Sequence, residues 1–253
     1  MIIKLVNRVL RPFRYSLRKE NPQEGMHDIF SDKDFLEIYD NVKVYTMTSP
    51  QRLYSLFKSV EYVLINKIPG DFVECGVWRG GSAMMMALTL KKHGVTNRQI
   101  YLYDTYEGMS EPSAKDDDIF GNKAETLLTS QKKENNAENV WCYSTLDEVK
   151  KNLLDTGYPA DRLSFVQGKV EDTIPANVPS SIAILRLDTD WYESTRHEMQ
   201  HLYPLLSEKG VLIIDDYGHW QGARKAIDEY IDQHKLSLLL NRIDYTGRVA
   251  IKY

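Results

Sequence analysis

The sequence predicts a doubly wound α/β fold: a mainly parallel sheet with helices on both faces. Three observations carry the prediction. From Asp71 onward, short apolar runs of strand length alternate with stretches of helical periodicity. The first run, DFVEC, leads through Gly76, Gly80 and Gly81 into a helix start at Ser82, a strand–glycine turn–helix unit. Several apolar runs end in an acidic residue, at Asp104, Asp188 and Asp215, which puts carboxylates at the carboxyl edge of the sheet, where open α/β sheets receive ligands.

In chain order, residues 1–44 read as an amino-terminal arm and irregular segment, and residues 45–253 as the folded domain. In MIIKLVNRVLRPFRYSLRKE, basic residues interleave with apolar ones. The apolar runs are too short to span a bilayer, and Pro12 interrupts the periodicity. The segment is expected to pack on a partner subunit or to fray as a terminus, with weak contact to an anionic membrane face as the alternative. An irregular stretch follows from about Glu20 to Asp32. Thr48 or Ser49 caps a helix from Pro50 to about Asn66, whose Leu53, Phe57, Val60 and Leu64 form one stripe.

The repeat then runs through DFVEC, a Met-rich helix, QIYLYD, a polar insert, RLSFVQG, SIAILRLD, a helix through His197 to Leu206, GVLIIDD and a helix through Ala226 to Tyr230. Late strands are expected near Leu236 to Leu240 and Val249 to Lys252. The insert from Tyr106 to Gly121, with the polar run after it, reads as a lid at the strand edge. Its Asp116–Asp118 triplet reads as a solvated surface.

A chain of 253 residues buries a sizeable core in one domain. Its formal net charge of −4 gives a nucleic-acid partner no electrostatic support and favours small polar or glycosylated ligands. Cys75 and Cys142 are the only cysteines, so no disulfide framework is expected and a reducing, cytoplasmic location is the default.

Two acidic clusters carry the chemistry: LRLDTDWYEST around Asp188 and Asp190, and VLIIDDYGHW around Asp215 and Asp216. Carboxylates converging at one sheet edge repel one another unless a cation neutralises them, and oxygen-only ligation suits Mg²⁺, Mn²⁺ or Ca²⁺. At the other end of the crevice, the glycine turn admits a ligand close to the backbone, and the helix start attracts an anionic group. Glu74 suits an ammonium group, and Asp104 stands where nucleotide folds receive ribose hydroxyls. The turn lacks the G-x-G-x-x-G spacing of a dinucleotide site.

Together TMTSPQRLYSL, GDFVECGVWRGGSA, YLYDTYEGMSEP, LRLDTDWYEST and LYPLLSEKGVLIIDDYGHWQGARKAIDEY resemble the macrocin O-methyltransferase family, the TylF and NovP type of S-adenosylmethionine-dependent sugar O-methyltransferases. The resemblance runs from about Tyr45 to Tyr230. It implies a class I methyltransferase fold, a Rossmann-like sheet whose last strand is antiparallel. It implies that Glu74, Gly76, Ser82 and Asp104 bind the cofactor, with Val170, Glu171 and Asp172 beside adenine and Thr46 and Met47 closing over it. It implies Asp188, Asp215 and Asp216 as metal ligands and Asp190 as the general base, with His219 a second base candidate. The implied reaction is Mg²⁺- or Mn²⁺-dependent methylation of a sugar hydroxyl, with chelation of a vicinal diol, by an enzyme that forms homo-oligomers. Alternatives remain: a catechol-type enzyme acting on an aromatic diol, a nicotinamide-dependent oxidoreductase, or an interaction protein on a degenerate fold.

Overall fold

The computed structural model describes residues 25–136 and 139–253. The basic segment from Met1 to Glu20 lies outside the described residues, and so do the expectations attached to it. Among the described residues, two α-helices precede the sheet, α1 (Lys33–Val42) and α2 (Pro50–Ile65). There follow β1 (Asp71–Cys75), α3 (Gly81–Lys92), β2 (Ile100–Asp104), α4 (Ala124–Ser130), α5 (Leu146–Asp155), β3 (Leu163–Gln167) and the short α6 (Val170–Thr173). The chain ends with β4 (Ile182–Leu187), α7 (Tyr192–His201), β5 (Leu206–Ile214), α8 (Gln221–His234), β6 (Asn241–Arg242) and β7 (Arg248–Ile251).

The seven strands lie in the order β3-β2-β1-β4-β5-β7-β6. Pairings from β3 to β5 are parallel, and β7 runs antiparallel to both neighbours. This is the class I methyltransferase sheet expected from the sequence. The chain leaves β1 toward β2 and β3, then returns to place β4 on the other side of β1. That reversal opens a crevice between the carboxyl ends of β1 and β4.

The two-residue period of the strands divides the core into two layers. Phe72, Ile100, Leu102, Ile184, Val211 and Ile213 face α1, α2, α3 and α5. Val73, Tyr103, Leu185, Leu187, Leu212 and Ile214 face α7 and α8. With both faces covered, the central strands read as continuous apolar runs rather than alternating ones.

Two local expectations are corrected. The stretch assigned to the irregular arm contains α1, a helix of 10 residues, capped by Asp32, whose side chain accepts from the Phe35 amide at 3.1 Å. Its polar surroundings hide a narrow stripe, Phe35, Ile38 and Val42, all buried. Phe35 sits among Tyr39, Tyr54 and Phe57 with ring centroids 5.0 to 5.7 Å away. The expected strand at Leu236 to Leu240 is irregular, and pairing is confined to Asn241–Arg242. The alternate leucines 236, 238 and 240 pack on the α7/α8 layer without a ladder partner, so they mimic a strand in sequence. No helix among the described residues is long and apolar enough to cross a membrane.

Candidate active site

At the carboxyl ends of the central strands the α2-facing layer changes from apolar to charged. The register aligns Phe72 with Ile184 and Glu74 with Arg186, and Arg186 with Ile213 on β5. Two residues further along each strand therefore replace core apolars by Glu74, Arg186 and Asp215 on one face. Arg186 is only 2% exposed. Its Nη1 donates to Glu74 Oε1 and to Asp188 Oδ2, both at 2.7 Å. Its Nη2 donates to Asp215 Oδ1 at 2.6 Å and to Thr48 Oγ1 at 3.1 Å. A buried guanidinium is tolerated here because each of its two terminal nitrogens meets two acceptors.

Beside this hub, oxygens of Asp188, Asp215 and Asp216 lie within 4.8 Å of one another. Asp216 Oδ2 is buried without a partner. Burial pushes the Asp188 carboxyl well above the usual range; Arg186 pulls it back and Asp216 pushes it further. Asp190 is raised in the same direction, by burial first and then by the neighbouring carboxylates of Asp216 and Asp188. An oxygen-only trio with an orphaned buried oxygen and mutual repulsion fits a hard divalent cation.

Asp190 projects into the same cavity from a left-handed backbone, φ 65°. Its loop is braced from below: Thr189 Oγ1 donates to Glu198 Oε1 at 2.9 Å, and the Trp191 amide donates to the Thr189 carbonyl at 2.7 Å. His219 also lines the cavity, with Nδ1 3.4 Å from the Tyr245 hydroxyl and its ring against Trp220.

The glycine turn forms the other end of a cavity of about 490 Å³. Gly76 has φ 82°, and a Cβ there would stand 1.9 Å from the Asp188 carbonyl oxygen, so the β1 and β4 loops meet only because the residue is glycine. Gly80 takes the α3 N-cap position in a left-handed conformation without a side-chain cap. Asp104 braces the turn: its Oδ2 accepts from the amides of Val77 (2.6 Å) and Trp78 (3.2 Å), and its Oδ1 from Tyr106 (2.7 Å). Three amides engage a carboxylate with about four lone-pair sites. Asp104 is thus first a clamp on the turn, a role its position alone did not disclose.

Glu74 Oε2 is buried and unpartnered, and so is Trp78 Nε1, which leaves one acceptor and one donor on cavity-lining residues. Burial raises the Glu74 carboxyl to about 7, against the pull of Arg186 and of the Ala83 amide. Thr46, Met47 and Ser82 line the same cavity, and the Thr46 segment presses on the α3 start so closely that a Cβ at Gly81 would lie 2.6 Å from Thr46 Cβ. Val170 and Glu171 line it too. Asp172 does not: it is exposed, outside the cavity lining. In the first turn of α6 the chain curls away after Glu171 and carries the next side chain to solvent.

The insert is held over this cavity, and the solvated-surface expectation for its acidic triplet is corrected. Asp116 and Asp118 are buried. Asp116 Oδ1 accepts from the Tyr192 amide at the start of α7 at 2.7 Å, and its Oδ2 accepts from the amide and hydroxyl of Ser113 at 2.7 and 2.8 Å. Asp118 bridges to Trp220, and Trp191 Nε1 donates to the Ser110 carbonyl at 3.1 Å. These acids are internal acceptors for loop amides, the Asx role, which a run of adjacent charges conceals.

Two functional residues lay outside the sequence expectations. Arg186 was visible as the one charge inside the strand IAILRL, an anomaly for a buried strand. Arg52, on the first turn of α2, donates from Nη1 to Asp215 Oδ2 and from Nε to Asp244 Oδ2 at 3.1 Å; nothing in its local sequence distinguishes it from an exposed helix arginine.

A profile of the macrocin-O-methyltransferase (TylF) family matches residues 7–251. The chain belongs to that family. It is 35% identical over 203 residues, 80% of this chain and 74% of the relative, to the 8-demethyl-8-(2,3-dimethoxy-alpha-L-rhamnosyl)-tetracenomycin-C 4'-O-methyltransferase of Streptomyces olivaceus. Over 203 residues it is also 35% identical to the mycinamicin III 3''-O-methyltransferase of Micromonospora griseorubida, covering 80% of this chain and 76% of that one. The solved structure of the O-methyltransferase NovP superimposes with a TM-score of 0.72 at 30% identity, covering 82% of each chain. In this member of the macrocin O-methyltransferase family, the glycine turn and the carboxylate cluster line one cavity.

Proposed function

We propose that this chain methylates a sugar hydroxyl of a glycosylated small molecule, with S-adenosylmethionine as donor and Mg²⁺ or Mn²⁺ bound by Asp188, Asp215 and Asp216. The observation that carries the reading is the shared cavity: an orphaned Glu74 oxygen at one end and the orphaned Asp216 oxygen at the other, joined through Arg186. When bound, the donor supplies an electrophilic methyl sulfonium, and the metal supplies positive charge that stabilises a deprotonated hydroxyl and selects vicinal diols. Glu74 holds the donor's ammonium group, Trp78 and the Thr46–Met47 segment enclose it, and Asp104 keeps the turn shaped around it. Val170 and Glu171 flank the adenine end. Asp190 accepts the acceptor hydroxyl's proton, a role suited to a carboxyl that burial and the neighbouring carboxylates make more basic than usual. The insert excludes water from the transfer. Sugar acceptors are favoured over aromatic diols by the relatives named above.

The pH dependence of donor-site binding follows from Glu74. Its carboxyl is raised to about 7, so below that pH it is protonated in the free protein and must lose its proton to pair with an ammonium group. S-adenosylhomocysteine affinity is therefore constant above pH 7 and falls by up to about tenfold per unit below it. Calorimetry in buffers of different ionisation enthalpy checks this: at pH 6 binding releases a proton, and at pH 8 it does not. An affinity flat from pH 5.5 to 8 removes Glu74 from the ammonium site.

The reading as a whole is tested by incubating the protein with S-adenosylmethionine, Mg²⁺ and panels of glycosides and catechols, with mass spectrometry of the products. Methylated glycosides that disappear with EDTA and return with Mn²⁺ support it. Methylation confined to catechols moves the acceptor class. Methylation of glycosides unaffected by EDTA removes the metal.

A further inference from the structure

Asp215 is contested by two guanidiniums. Its Oδ1 accepts from Arg186 and its Oδ2 from Arg52, and the residue is only 3% exposed. The two arginines differ in freedom. Arg186 is fixed within the sheet by Glu74, Asp188 and Thr48. Arg52 reaches down from the rim of the cavity, its side chain 13% exposed, and already has a second carboxylate: Nε donates to Asp244 Oδ2 at 3.1 Å.

The turn between β6 and β7 is shaped around that second contact. Asp244 Oδ1 accepts from the amides of Thr246 and Gly247 at 2.9 and 2.7 Å, while Oδ2 accepts from the Ser49 hydroxyl at 2.6 Å. At Gly247 a Cβ would lie 2.8 Å from Arg52 Cδ, so the glycine leaves room for the arginine stem. The Oδ2 that Arg52 occupies belongs to one of the three carboxylates whose oxygens lie within 4.8 Å of one another. A guanidinium and a divalent ion compete there for the same carboxylate and repel each other.

We infer that Arg52 is a resident counter-cation of the acidic cluster: it neutralises Asp215 when no metal is present, and metal entry displaces it toward Asp244. The inference rests on the metal reading above. Arg52 is a positioning residue in this scheme. It keeps the cluster from repelling itself in the ion-free protein, where Arg186 can satisfy only one Asp215 oxygen. The cost of that arrangement is a weaker metal site, because each binding event must break the Arg52–Asp215 contact.

The test is calorimetric titration of the full chain with Mn²⁺ alone at low ionic strength. Arg52→Gln is expected to lower the Mn²⁺ Kd about tenfold or more, and Arg52→Lys, which keeps the charge, to leave it near wild type. Asp244→Asn removes the alternative partner and is expected to raise the Kd about tenfold. Unchanged or weaker binding in Arg52→Gln overturns the inference while leaving the wild-type metal site intact. Should Arg52→Gln not fold, Asp244→Asn decides: unchanged or tighter binding overturns the inference equally. If neither wild type nor any variant binds Mn²⁺, the metal reading fails and the counter-cation role falls with it.

Discussion

Asp190→Asn is expected to lower methyl transfer to a glycoside acceptor by about 10²- to 10⁴-fold, the usual contribution of a positioned general base. S-adenosylhomocysteine affinity should stay within about threefold of wild type, because Asp190 neighbours Asp216 and Asp188 rather than Glu74. The substitution isolates the proton transfer unusually well. Asp190 has a left-handed backbone, φ 65°, which asparagine adopts as readily as aspartate. The Thr189–Glu198 brace is untouched, and one oxygen atom becomes an amide nitrogen of nearly the same size. Single-turnover kinetics with saturating donor and metal separates the step from binding. His219→Gln in the same assay examines the second base candidate. His219 has its ring against Trp220 and its Nδ1 beside Tyr245, an edge position suited to shaping the acceptor mouth. A large loss in His219→Gln with near-normal Asp190→Asn would exchange their roles.

The sheet was legible because buried parallel strands announce themselves as apolar runs, and because Asp188 and Asp215 each directly follow one. The two-residue period then places Glu74 and Asp215 on one face without further information. What sequence could not disclose is partnership across the fold. Asp104 reads as a strand-end acid, and nothing in its local sequence shows that it also accepts from three backbone amides. Asp116 reads as surface charge, yet it anchors the insert to α7 through the Tyr192 amide. Arg52 acts through Asp244, 192 positions away in the chain, a distance over which no local pattern operates. Helix α1 failed for a different reason: its apolar stripe is narrow and its mean character polar, so packing on Tyr54 and Phe57, rather than intrinsic preference, decides it.

Arg186→Met should be the most damaging single change to the site as a unit. Methionine matches the stem in length and suits a strand that is otherwise apolar, so packing is largely conserved. What disappears is the charge that Glu74, Asp188 and Asp215 share. Breaking a buried ionic network from one side costs about 3–5 kcal/mol, since the partners stay behind uncompensated. Urea denaturation at pH 8 should reveal a loss of that order, and S-adenosylhomocysteine affinity should fall with it as Glu74 loses the partner that holds it in place. The pH sign distinguishes charge from packing. With Arg186 present the Glu74 carboxyl is already raised to about 7, and removing the cation raises it further. In the variant the folded form therefore binds protons that the unfolded chain, with an ordinary carboxyl near 4.5, has released, and stability increases as the pH is lowered from 8 toward 5. The deficit relative to wild type should shrink over that window as protonation neutralises the abandoned carboxylates. A deficit of constant size from pH 8 to pH 5 would mean that the guanidinium matters for its shape, and that the donor and acceptor ends of the cavity are not electrostatically joined through β4.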